Sequence, residues 1–300
     1  NMEFPDFDPN GFATKDQVAD YFVAYADMIN APIHCGVEVL KVKSNDGCPG
    51  FRVETSNGVI EANNVIAATG PFQCPLIPDL IPKNESITQI HSKDYFNPEQ
   101  LPEGAVLVVG AGSSGAQIAD ELLLAGKSVY LSVGPHDLPP RSYRGRDFVW
   151  WLGVLGKWEA ITKDPDMDHV TIAVSGAHGG HTVDFRRLAG QGITLLGRTK
   201  SFKNNVMHFA SDLAKNIANG NAYTLSLLDQ ADAYVIRNGL EFPEEPEARK
   251  VLTDPKCVTD PILELNLEEA GINSIIWATG FDVDYSWLKV DALDEKGKPK

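Results

Sequence analysis

The sequence is short of paired cysteines, of positive charge and of long apolar runs, and each shortage excludes a class of function. Its four cysteines, Cys35, Cys48, Cys74 and Cys257, are scattered, with no Cys-x-x-Cys pair and no metal-ligand spacing. A dithiol redox centre and a structural metal site are therefore not expected, and the cysteines read as reduced, mostly packed residues of a cytoplasmic protein. Lys and Arg number 26 against 41 Asp and Glu, a formal net charge of -15. Nucleic acids and anionic membranes both bind through basic patches, so neither is an expected partner. No apolar run approaches the roughly 20 residues of a membrane span. The longest candidate, "FVWWLGVLGKW" (148–158), is too short and is interrupted by glycine. No signal peptide is evident. Both ends, a loop leading into a helix over Thr14–Ile29 and the closing "DALDEKGKPK", look cut from something longer.

Two metal-like patterns fall away as well. His178 and His181 stand three apart in "GAHGGH", but no third ligand lies nearby in sequence. "DPDMDHV" (164–170) opens like a calcium loop, yet its sixth position is His169 and its twelfth is Ser175. No metal site is expected.

What is present is concentrated in "VLVVGAGSSGAQIADELLLAGKSVYLSVG", residues 106–134. Val106–Val109 is an apolar run suited to a strand buried on both faces of a parallel sheet. Gly110-x-Gly112-x-x-Gly115 follows. The first glycine permits a tight turn, the second lets the backbone approach a pyrophosphate, and the third lets helix and strand pack closely. A helix over Ser114–Ala125 should end at the capping Gly126, with a second strand over Ser128–Val133. The unpaired N–H groups at that helix start suit a diphosphate.

A carboxylate about twenty residues past the glycines would favour NAD by accepting from the ribose 2′-hydroxyl. Here the second strand ends Leu131-Ser132-Val133-Gly134, without an acid. Arg141, Arg144 and Arg146 cluster just beyond, in "PPRSYRGRD", and point to the 2′-phosphate of NADP. Further on, the sequence predicts a strand over 171–175, a short helix near 184–189 and a strand over 193–197. Two helices, 211–219 and 225–238, come before a surface linker. Phe148, Trp150 and Trp151 suit either a pocket wall or packing against a sheet.

Two segments repeat on either side of this motif: "NNVIAATGPF" (63–72) and "NSIIWATGFD" (273–282). Each reads as an apolar strand ending in Ala-Thr-Gly, where small residues admit close approach of a ligand.

These features resemble the flavin-containing monooxygenases and their bacterial relatives. "FPDFDPNGFATKDQVADYFVAYA" is similar to that family's stretch after its first FAD motif. "GFRVETSNGVIEANNVIAATGPFQCPLIPDL" is similar to its hairpin and first crossing, "HSKDYFNPEQLPEGAVLVVGAGSSGAQIADEL" to the entry into the NADPH domain, and "SIIWATGFDVDYSWL" to the return. The likeness covers roughly residues 4–134 and 262–290. It departs from the family pattern F-x-G-x-x-x-H-[ST]-x-x-[YFW], whose first two positions hold Glu85 and Ile87, while His91, Ser92 and Tyr95 match. The arginine often found after the second strand's serine is Gly134 here, and the FAD-binding Gly-x-Gly-x-x-Gly would precede Asn1.

The resemblance implies an α/β fold of two dinucleotide-binding, Rossmann-like three-layer domains, the NADPH domain inserted in the FAD domain. Residues 1–75 would be a partial FAD-binding domain, 76–277 the NADPH-binding domain with a helical insertion around 140–260, and 278–300 the return. FAD and NADPH are the implied cofactors. The cofactor-binding candidates are Gly110, Gly112, Ser113, Ser114, Gly115, Gln117, Ser132, Arg141 and Arg144, with Val39, Thr69, Gly70, Ala278, Thr279 and Gly280. The implied activity passes one oxygen atom from O₂ to a small organic substrate through a C4a-(hydro)peroxyflavin. Because the cofactor carries that chemistry, no catalytic side chain is named. A pyridine nucleotide–disulfide type reductase and a non-catalytic NADP-binding module stay open as alternatives, and a homodimer is compatible with either.

Overall fold

The computed structural model describes residues 2–4, 11–82, 87–160 and 171–300. Two compact units emerge, one formed by Ala13–Leu76 with Gly280–Lys300, the other by Ile77–Thr279 together with Gly11 and Phe12. The calcium-like stretch 164–170 and position 85 lie outside the described residues.

The larger unit is built on five parallel strands in the order Thr194–Leu196, Val129–Ser132, Ala105–Val109, Ile272–Trp277, Thr88–His91. All five residues of Ala105–Val109 are buried, because strand neighbours flank it and side chains fill both faces. Val106 and Val108 enter one core with Ala116, Leu122, Leu188, Leu213 and Ile217, contributed by helices Ser113–Leu124, Phe185–Gln191 and Leu213–Arg237. Leu107 and Val109 enter the other with Met207 and Phe209. Those residues belong to an antiparallel layer of Thr199–Lys203, Val206–Phe209 and Glu264–Asn266. The expected three-layer α/β arrangement is thus present.

Local signals set the helix ends. Thr14 caps helix Lys15–Met28 in a reciprocal box with Gln17. Gly126 closes Ser113–Leu124 at a φ of 78°. Its N–H bonds to Leu123 and that of Lys127 to Leu122, the paired bonds of a Schellman ending.

Two expectations need correction. The helices predicted over 211–219 and 225–238 are one helix, Leu213–Arg237. Gly220 breaks nothing, because it faces the His136 ring: a Cβ there would sit 2.5 Å from Nε2. The glycine provides close packing rather than a stop. Residues 64–68, read as a strand, form no regular structure, since no strand among the described residues pairs with them. The stretch read as surface linker is more ordered than expected. It carries the short helix Lys256–Thr259, and Arg249 bonds Asp229 and Asp232 on the long helix.

The smaller unit is thin. Its meander of Val39–Ser44, Phe51–Thr55 and Gly58–Ala62 accepts Leu288–Lys289 as a parallel fourth strand. Among its described residues only Val42 and Val53 are buried, and helix Lys15–Met28 buries none. The stretches just past the two Ala-Thr-Gly sequences pair as a short antiparallel ribbon. Cys74–Pro75 pairs with Phe281–Asp282, Leu76 donates to the Gly280 carbonyl at 3.0 Å, and Phe72 packs edge-on against Phe281.

Candidate functional site

The glycine fingerprint sits where the strand Ala105–Val109 gives way to helix Ser113–Leu124. Gly110 has a φ of 103°, and a Cβ on it would lie 2.3 Å from the Ala278 carbonyl oxygen. A Cβ on Gly115 would come within 1.8 Å of the Gly110 oxygen. Neither position tolerates a side chain, so Gly110, Gly115 and Ala278 form one close backbone crossing. Gly110 N–H donates to Ser132 O at 3.1 Å, which ties the loop to the end of the second strand. Gly112 is the helix N-cap and supplies no side-chain cap. The first amides of the helix therefore remain available to a diphosphate, and the residues present fit the pyrophosphate of a pyridine dinucleotide.

Ser113 and Gln117 do more than face a ligand. Ser113 Oγ donates to Ile172 O at 2.8 Å and accepts from Val174 N–H, while Gln117 Nε2 donates to Val174 O at 2.8 Å. They fasten the segment 171–174 over the helix start, and the Thr171 side chain lies 3.3 Å from where a Gly112 Cβ would be. Ser114 is exposed. Ser132 is buried, its hydroxyl donating to Gly197 O at 2.9 Å and lying 3.0 Å from Thr199 Oγ1. Its side chain is thus committed inside the protein.

The two arginines expected to hold a 2′-phosphate are also committed. Arg141 pairs with Asp147, Nη2 to Oδ2 at 2.5 Å, and its side chain is only 11% exposed. Arg144 Nε meets Asp232 Oδ1 at 2.6 Å, beside Tyr143 and Arg249. Burial works against the Asp232 charge, but hydrogen bonds from Arg249, Tyr143 and Arg144 outweigh it and hold the carboxyl below its usual range. Each of the two arginines expected to hold a 2′-phosphate thus already carries a carboxylate partner. One partner lies six residues on, the other in a helix far along the chain, and the local sequence reveals neither. Of the cluster, Arg146 alone has no carboxylate partner among the described residues; it stacks over Trp150 and Phe242. It opens on a cleft of about 560 Å³ lined by Phe12, Arg141, Arg146, Asp147 and Trp150. Trp151 and Phe148 are core residues, whereas Trp150 lines this cleft.

The residues matching the family pattern act as anchors. His91 is buried and its Nδ1 accepts from Lys93 N–H, while the Tyr95 hydroxyl donates to Glu121 on the glycine-loop helix at 2.9 Å. Burial, reinforced by Glu121, pushes the Tyr95 phenol well above its ordinary value.

In the smaller unit, Thr69 Oγ1 and Gly70 O both accept from Gln73 Nε2. Gly70 and Gly280 have φ values of 70° and 85°, with open space where a Cβ would be. Val39 pairs with Thr55 and is half exposed. These residues permit close approach of a flat ligand, but the sequence holds one Gly-x-Gly-x-x-Gly, and it lies in the larger unit. No diphosphate loop for a second dinucleotide is present among the described residues. His181 lies 3.8 Å from Asp120, and no metal-holding cluster exists among the described residues.

A family described as pyridine nucleotide-disulphide oxidoreductase matches residues 5–144. A CzcO-like oxidoreductase of Geobacillus kaustophilus is 33% identical over 296 residues, spanning 97% of this chain and 68% of the relative. The chain belongs to the CzcO-like oxidoreductases. A thiol-specific monooxygenase of Saccharomyces cerevisiae is 34% identical over 118 residues, covering 37% of this chain and 27% of its own length. The fold matches a flavin-containing monooxygenase from Stenotrophomonas maltophilia with a TM-score of 0.58 and 18% identity. That match covers all of this chain and 67% of the other. The family matched over residues 5–144 and the similarity to flavin-containing monooxygenases imply FAD and NADPH as cofactors. No helix among its described residues is long and apolar enough to cross a membrane.

Proposed function

We propose that this oxidoreductase is an NADPH-dependent flavoprotein monooxygenase, placing one oxygen atom of O₂ on a small organic substrate. Residues 76–277 are its NADPH-binding domain, and 1–75 with 278–300 belong to its FAD-binding domain. The observation that carries this reading is the closed glycine crossing of Gly110, Gly115 and Ala278 beneath an uncapped helix start, in a chain without paired cysteines. A dithiol reductase passes electrons to neighbouring thiols. Here Cys35, Cys48 and Cys74 are exposed and Cys257 is half-buried, all four of them free.

The chemistry that the cofactors would supply is hydride from a nicotinamide bound at the glycine loop and oxygen activation by a flavin. The chain's own part is to bind and position. The first amides of helix Ser113–Leu124 receive the pyrophosphate, Gly110 and Gly112 give it room, and Ser113 with Gln117 hold the 171–174 segment beside it.

The test is NADPH oxidation by the FAD-loaded protein with all four cysteines replaced by serine or alanine. Oxygen consumption coupled to NADPH oxidation should persist per flavin-loaded molecule. Complete loss in a folded, FAD-replete variant would overturn the monooxygenase reading in favour of thiol chemistry.

A further inference from the structure

The geometry points to Arg198 as the cation that recognises the 2′-phosphate of NADP, an inference that rests on the glycine loop holding a pyridine dinucleotide. In this kind of fold the ribose 2′ position is read at the end of the strand following the glycine helix. That strand, Val129–Ser132, is followed by Val133 and Gly134, and neither has a polar side chain to offer. Its outer neighbour in the sheet is Thr194–Leu196, which runs parallel to it with Leu196 opposite Ser132. The chain leaving that neighbour turns at Gly197-Arg198, beside the place where the ribose is read.

The turn is rigid. A Cβ on Gly197 would lie 2.0 Å from the Ala210 carbonyl oxygen, so only glycine makes this bend. Arg198 N–H donates to Asp212 Oδ1 at 3.0 Å, and Arg198 O accepts from Ala210 N–H at 2.8 Å. Ser132 Oγ reaches across to Gly197 O and Thr199, locking the turn to the end of the second strand. From this clamped backbone the Arg198 stem crosses Gly134, its Cδ and Cγ 3.9 and 4.0 Å from where a Gly134 Cβ would be.

Arg198 is also available in a way that its rivals are not. Arg141 and Arg144 are engaged by Asp147 and Asp232. Arg198 is exposed, and no carboxylate pairs with its guanidinium among the described residues, since Asp212 holds its backbone N–H instead. A fork of donors on a fixed turn suits a phosphate monoester, whereas a ribose hydroxyl gains little from it. The buried hydroxyl of Ser132 thus acts as a positioning group, setting the turn that presents Arg198.

The experiment measures NADPH and NADH affinity of the full chain by calorimetry, with no turnover required, at fixed salt. The parent should bind NADPH at least tenfold tighter than NADH. Arg198→Ala should lose most of that preference while NADH affinity changes less than threefold, Arg198→Lys should keep part of it, and Arg198→Glu should reverse it. The guanidinium has no hydrogen-bond or ion-pair partner among the described residues to lose, so the circular dichroism spectrum should not change. An Arg198→Ala protein that keeps the full preference overturns the assignment and leaves the nucleotide reading intact. Equal parent affinities overturn it likewise. A parent that binds neither dinucleotide overturns both.

Discussion

Val108 and Ile66 hold comparable places in two apolar runs that end at a glycine, yet the first is fully buried and the second is 90% exposed. Local sequence does not distinguish them. Val108 has strand neighbours on both sides and a filled core on each face, while residues 64–68 have no strand partner among those described. Apolar burial contributes roughly 25 cal/mol per Å² only once a partner surface exists. Unpaired backbone amides also lose nothing to water by staying irregular. The larger unit therefore draws its stability from tertiary neighbours rather than from a more apolar alphabet.

Hydrogen exchange offers the largest separation between the two. Amides of Val106–Val109 and Ile272–Trp277 should open only with global unfolding, and so exchange at least about a thousandfold more slowly than those of 64–68 and Lys15–Met28. Comparable protection in both regions would remove the contrast.

Substitution sharpens it next. Trp277 is fully buried and donates from Nε1 to Gln89, so Trp277→Ala should cost about 3–5 kcal/mol in a denaturant titration. Ile66→Ala should fall within about 0.5 kcal/mol of the parent. Similar losses would mean that residue 66 is packed in solution.

Glycine offers a finer contrast inside the larger unit. Gly220→Ala pushes a methyl into His136 and should destabilise by about 1–3 kcal/mol. Gly190→Ala, in helix Phe185–Gln191 with open space around it, should stabilise by up to about 1 kcal/mol. The same chemical change then has opposite signs, readable as a shift in Tm.

These positions also show how far the sequence could be read. The glycine fingerprint, the Thr14 cap and the Gly126 ending are local devices, so their elements appear within a residue or two of expectation. Gly220 sits inside one continuous helix because it packs against His136, which lies far away in the chain. The partner of Arg144, Asp232, is likewise a placement that only tertiary structure fixes. Arg198 carries no sequence signal of its own; its place follows from sheet order.

The smallest effect expected is a pH dependence. His136 is buried, its Nδ1 donating to Gly134 O at 2.9 Å, its Nε2 without a partner among the described residues and its ring against Phe185. Burial lowers its pKa below the ordinary imidazole value of 6.5, against a smaller opposing pull from the Gly134 carbonyl. The folded protein then binds this proton less readily than the unfolded chain does. Its contribution is present above about pH 6.5 and is lost as pH falls through the lowered folded pKa. His136→Gln should flatten this part of the stability profile between pH 7 and 5. An unchanged slope would assign the acid sensitivity to other groups.

The ribbon joining Cys74–Pro75 to Phe281–Asp282 has a consequence for how such a protein could arise. Because Leu76 is hydrogen-bonded to Gly280, the whole segment Ile77–Thr279 departs and arrives at one doorway. A body whose two ends adjoin can be spliced into a surface loop of a host without respacing the host's own strands. The closure entropy of the loop it replaces grows only as the logarithm of its length. The stretches just past the two Ala-Thr-Gly sequences close such a doorway, held edge to edge by three rungs of backbone and a pair of phenylalanines.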